Sequence, residues 1–155
     1  MNTLEMEIAL SLHFNYRQNL IVPNVSWGMY LMGRPLHECD LLICTGSGYL
    51  WEVEIKVSKS DLLADKKKKH GHFHPALKRL YFAIPEKLSP YIGEIQDNAG
   101  VIVVSKRSRI CCEVVRPAKN KKGLALNMKQ RLKLAELGAM RIWGVKQKLI
   151  KKGRK

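Results

Sequence analysis

No run in this sequence approaches the ~20 apolar residues needed to span a bilayer. The amino terminus carries Glu5 and Glu7 where a secretory leader would have a basic stretch running into an apolar one. A soluble intracellular protein is therefore expected, with no membrane partner. The four cysteines, Cys39, Cys44, Cys111 and Cys112, form no C-x-x-C pair, so reduced thiols acting as small apolar residues are expected in place of a disulfide framework. Acids are scarce. Against 13 Asp and Glu stand 28 Lys and Arg, a formal charge of +15 that attracts polyanions and makes nucleic acid the leading partner class. With 155 residues and 46% hydrophobic content, the chain can bury a core as one domain, which excludes disorder throughout.

What is there reads as an alternation of elements. Residues 2–14, NTLEMEIALSLHF, have a capping box in Asn2 and Glu5, and Leu4, Ile8 and Leu12 at helical spacing predict the face turned to the core. NLIVPNVSW is extended and interrupted by Pro23. A helix is predicted over SKSDLLADKKKKH (58–70), capped by Ser58 and Asp61, with Leu62 and Leu63 facing inward. Strands follow in KRLYFAIP, GVIVVS and RICCEVVRP, and a basic helix spans about 124–150 with a break allowed at Gly138. A single domain over 1–150 and a basic tail over 151–155 are expected. HGHFH, with His70, His72 and His74, reads as a polar loop; zinc shared with cysteines is the weaker reading, because the spacing matches no common zinc pattern.

The most informative stretch is ECDLLICTGSGYLWEVEIK, residues 38–56. Clustered Gly and Ser in Thr45-Gly-Ser-Gly48 supply a tight turn between two strands. If Gly46, Ser47 and Gly48 form the loop, Ile43 faces Trp51, Leu41 faces Val53 and Cys39 faces Ile55, giving one apolar face. The other face pairs Asp40 with Glu54 and Glu38 with Lys56. Opposed carboxylates repel unless a cation lies between them, and oxygen ligands of this kind suit Mg²⁺ or Mn²⁺. Lys56, on the Glu54 face and roughly 6 to 7 Å along the strand, could orient an attacking water or offset charge building on phosphorus. The competing reading is a half-exposed strand with its polar face in water. Glu52 pairs with Leu42 in this register, which favours a supporting or surface position over metal ligation.

Asp40, then Glu54-x-Lys56 after a hairpin, resembles the signature of the PD-(D/E)XK nuclease superfamily. EVEIKVSKSDLLADKK, KRLYFAIP, AGVIVVS and CCEVVRPA, in that order over about residues 38–135, resemble its MmcB-like DNA repair branch, and phage genomes carry similar small proteins. The resemblance implies a three-layer, restriction-endonuclease-like α/β core with a central mixed sheet flanked by helices. It also implies Mg²⁺ or Mn²⁺ dependence, DNA as substrate, and a bacterial or phage-infected cytoplasm. Carried over by residue, Asp40, Glu54 and the carbonyl of Ile55 would hold the metal, and Lys56 would serve catalysis. Glu7 is a candidate for a further acid near the metal, with Glu5 its competitor. Lys66, Lys67, Lys68, Lys69, Arg107, Arg109 and Arg131 are candidates for DNA backbone contacts. A homodimer is compatible with the resemblance, and a non-catalytic DNA-binding module on the same fold is the alternative function.

Overall fold

The computed structural model describes residues 1–25, 29–65, 72–106 and 108–152. Its first element, α1 (Thr3–His13), begins where the capping box predicts. Asn2 Oδ1 accepts the Glu5 N–H at 2.9 Å, and the Glu5 carboxylate accepts the Asn2 N–H. The buried face differs from the expected one. Met6, Ala9, Leu10 and the capping Phe14 face the core, whereas Leu4, Ile8 and Leu12 are 62%, 51% and 62% exposed. At about 100° per residue, Glu5 and Glu7 flank the Met6–Leu10 stripe. Glu5 reaches Lys106 Nζ at 2.6 Å and Glu7 accepts from Asn24 at 3.4 Å, which turns that stripe onto the sheet.

The central sheet is built from β1 (Leu20–Val25), β4 (Cys39–Cys44), β5 (Leu50–Ile55), β6 (Leu77–Pro85), β7 (Gly100–Lys106) and β8 (Ile110–Arg116), in that spatial order. It is mixed. β5, β6 and β7 run parallel, and the remaining neighbours are antiparallel. Pro23 sits in β1, at the sheet edge, where its missing N–H costs no ladder bond. A separate small hairpin, β2 (Tyr30–Leu31) with β3 (Arg34–Pro35), lies between β1 and β4. The β4–β5 register is the expected one: Leu41 opposite Val53, Leu42 opposite Glu52 and Ile43 opposite Trp51.

Side chains alternate across a strand, and both faces of this sheet are covered. Leu41, Ile43, Val53, Ile55, Tyr81, Ala83, Ile102 and Val104 pack under α1. On the opposite face, Val22, Leu42, Leu50 and Leu77 pack with Leu126 and Leu134, the latter from α3 (Met128–Lys152). Further along that face, Leu80, Phe82, Ile84 and Val101 pack with Leu62 of α2 (Lys59–Asp65) and Leu88 of a 3₁₀ helix, η1 (Glu86–Glu94). The result is an α/β protein in three layers. α3 runs unbroken through Gly138, where an added Cβ would come within 3.3 Å of Val22 Cγ2, so the glycine permits close approach to β1 instead of a break. Among the described residues no helix is long and apolar enough to cross a membrane.

Candidate functional site

Glu52, Glu54 and Lys56 project from the face of β5 opposite α1, so they lie between the sheet and the layer containing α2. Lys56 leaves the strand with its N–H donated to Ala83 O at 3.0 Å. The chain then turns into α2, whose first turn is capped by Ser58 Oγ accepting the Asp61 N–H. The last described residue of α2, Asp65, lies above the same charged row. Lys56 is thereby only 3% exposed, and its ammonium contacts Glu54 Oε2 and Asp65 Oδ1, each at 2.9 Å. Burial alone would favour the neutral amine, but the carboxylates of Glu54 and Asp65 outweigh it and hold the lysine above its ordinary value, fully protonated.

Asp40, from β4, takes the Ile55 N–H on Oδ2 at 2.8 Å. A strand residue directs its N–H and C=O to the same side, so the Ile55 carbonyl also faces Asp40. Asp40, Glu54, Ile55 and Lys56 line one cavity of about 380 Å³, together with Thr3, Glu38 and Asp61. The four residues expected at the site therefore converge. Among the described residues the lining supplies carboxylates, a carbonyl, a hydroxyl and the Lys56 ammonium but no imidazole or thiol, which fits a hard cation such as Mg²⁺ or Mn²⁺.

Glu7 does not join them. It lines a different depression beside Ile8, Tyr16 and Pro23, and Glu5 is engaged with Asn2 and Lys106. Arg131 is occupied elsewhere too: its guanidinium donates to Leu126 O and to Gly46 O, each at 3.1 Å, tying α3 to the β4–β5 turn. That turn is the end of the hairpin away from Asp40, which separates Arg131 from the cavity by about the length of a six-residue strand, roughly 17 to 20 Å. Arg109 is exposed between β7 and β8. Lys66, Lys67, Lys68, Lys69 and Arg107 lie outside the described residues.

His37 and Asp65, to which the sequence assigns no role, complete the charged interior with Glu52 and His72. Glu52 is fully buried, not marginal, and its Oε1 accepts from His37 Nε2 at 2.8 Å and His72 Nδ1 at 2.9 Å. The other ring nitrogen of His72 meets Asp65 Oδ2 at 2.9 Å. With an ionised carboxylate on each nitrogen the ring is a double donor, that is, imidazolium. Burial pulls the His72 pKa down, but the hydrogen bonds to Asp65 and Glu52 and the nearby Glu54 charge overcome this and raise it to about 9. Glu52 experiences the mirror effect: burial raises its pKa, and His37 and His72 bring it below the usual carboxylate value. HGHFH is thus no solvated loop where it is described. His72 and His74 are 1% and 2% exposed. Asp65 could have been suspected from its place four residues after Asp61 on α2; His37 carried no comparable signal.

No family model matches the sequence, and no curated protein matches it. Among solved structures, the chain is similar to the SPO1766 protein of unknown function from Silicibacter pomeroyi. The TM-score is 0.59 at 20% identity, over 91% of this chain and 86% of that one. At this identity the likeness is one of fold, and it assigns no residue a role.

Proposed function

We propose that this protein is a divalent-metal-dependent DNA nuclease of the PD-(D/E)XK type. The observation that carries the reading is the convergence of Asp40, Glu54, Ile55 and Lys56 on one oxygen-lined cavity. The surplus of positive charge supports an extended polyanion as substrate. Asp40 and Glu54, with the Ile55 carbonyl, are the residues that would hold Mg²⁺ or Mn²⁺. When bound there, such an ion supplies Lewis acidity and a water of lowered pKa. Lys56, held cationic by its two carboxylates, is a donor and a fixed positive charge for the developing phosphorane, not a base. Asp65 acts through Lys56 by fixing its position. The test is incubation of linear, nicked and branched DNA with purified protein and Mg²⁺ or Mn²⁺, beside the Lys56→Ala variant. Cleavage that chelator abolishes and Lys56→Ala loses is expected; equal activity in both proteins contradicts the proposal.

One observation favours a second reading. Lys56 is already engaged by Glu54 and Asp65, an arrangement that also serves a non-catalytic DNA-binding module in which the charges only stabilise the fold. That reading predicts salt-sensitive DNA binding that survives loss of Asp40, without cleavage of any substrate.

A further inference from the structure

Beside the oxygen-lined cavity lies a second group of ligand-type atoms with different chemistry. His37, Glu52 and His72 bring two imidazole nitrogens and a carboxylate oxygen within 4.8 Å of one another. They come from three places in the chain: the segment before β4, the middle of β5 and the segment after α2. Glu52 Oε2 is fully buried and has no hydrogen bond of ordinary geometry among the described residues, the Cys39 thiol, a weak donor, being beside the carboxyl group. A buried carboxylate oxygen without such a bond indicates a missing donor or ion, because desolvating it uncompensated is costly.

We infer that His37, Glu52 and His72 form a binding site for a borderline transition-metal ion, Zn²⁺ by preference, adjacent to the Asp40 cavity, whose Glu54 Oε1 lies 3.6 Å from His72 Nδ1. Two imidazoles and one carboxylate are a zinc donor set, whereas Mg²⁺ selects oxygen alone. The observed spacings are close to what such an ion requires. Tetrahedral ligands about 2.0 to 2.1 Å from zinc lie about 3.3 Å apart, and the present separations from Glu52 Oε1 are 2.8 Å and 2.9 Å. A small outward movement of the two rings makes room. The support around the ligands is also in place. With Nδ1 of His72 on the metal, its Nε2–H still donates to Asp65 Oδ2, the carboxylate–histidine–metal arrangement that fixes ring orientation. His37, the most accessible of the three, borders a cavity of about 280 Å³ lined also by Arg34, Leu36, Phe73 and His74. Glu38 touches both that cavity and the Asp40 cavity, but neither Asp40 nor Glu54 lines this one. Zinc would therefore have its own entry path, and it would clamp the segments on either side of β5 to the strand. The inference uses neither Asp40 nor Lys56, so it stands whether or not the protein cuts DNA.

The test is zinc titration of the chelator-stripped, full-length protein by calorimetry, with metal content measured after dialysis. Wild-type protein is expected to retain one equivalent, and so is Asp40→Asn, which alters only the other cavity. His37→Gln, at the accessible edge of the group, is expected to weaken binding by about 100-fold or more. X-ray absorption at the zinc edge of the wild-type protein is expected to show two imidazoles with oxygen, a readout that does not depend on the variant folding. Absence of zinc binding, undiminished affinity in His37→Gln, or an all-oxygen shell would each overturn the site.

Discussion

The two faces of β5 solve the same problem of burial by opposite means. On one, Val53 and Ile55 disappear beneath α1 against Leu10, Phe14 and Tyr81, contacts that need only shape. On the other, Glu52, Glu54 and Lys56 are equally removed from water but depend on specific partners, with His37, Asp65 and His72 brought in from three separate segments. The apolar face tolerates gradual change, because a lost methyl group costs its transfer energy and a partly relaxed cavity. The ionic face is all or none. A single missing partner leaves a buried charge uncompensated, and several kcal/mol follow from one substitution.

The largest expected effect separates the two faces directly. Lys56→Ala removes the cation between Glu54 and Asp65 and should cost about 3 to 5 kcal/mol in denaturant unfolding. Replacing the group together, as Lys56→Met with Glu54→Gln and Asp65→Asn, should recover part of that loss, since no charge is then stranded. An additive triple variant would show that the pairing carries no weight. Next comes the apolar face: Leu10→Ala should cost roughly 2 to 5 kcal/mol, while Leu12→Ala, two residues away on the exposed stripe, should stay within about 0.5 kcal/mol. Similar losses at both positions would mean that α1 is rotated from the orientation described.

A smaller effect is expected from pH. His72 in the metal-free protein is raised from 6.5 to about 9. Its protonated form is therefore favoured by folding, and the stability it contributes is complete below about pH 6.5 and is lost as pH rises through 9. Chelator-treated protein should lose roughly 3 kcal/mol between pH 6.5 and 10, and His72→Gln should flatten that slope. An unchanged slope in the variant would place the titrating group elsewhere. Glu52, whose pKa is lowered, acts at the acid end and contributes nothing to this window.

How much of this was legible in the sequence depended on whether the information was local. The β4–β5 register followed from alternation and from Gly46, Ser47 and Gly48 alone, because a slip by one residue would have mixed the two faces. The burial of Glu52 was implicit in the same register. Its cross-strand neighbour Leu42 is fully buried, and a residue opposite a buried one is buried with it unless something intervenes. A leucine opposite Glu52 thus points to burial, not to a surface position. The inward face of α1 is hidden for a different reason: the helix has apolar residues nearly all round, and which stripe turns inward depends on packing against β5 and β8, which are distant in the chain. His37 carries no signal in the chain, and although Asp65 lies one helical turn after Asp61 and His72 stands in HGHFH, no spacing relates either of them to Glu52. Their side chains meet only over the charged face of β5.

The proposal that the Asp40 cavity holds an ion used in phosphodiester cleavage is tested most directly by Asp40→Asn. Asparagine keeps an acceptor oxygen for the Ile55 N–H, so the variant should fold with nearly the wild-type melting temperature while losing the ligand charge. Nicking of supercoiled DNA with Mn²⁺ should be robust in the wild-type protein, absent in chelator and reduced by about 100-fold or more in Asp40→Asn. Equal nicking by the two proteins, or DNA binding without cleavage by the wild type, would contradict the account.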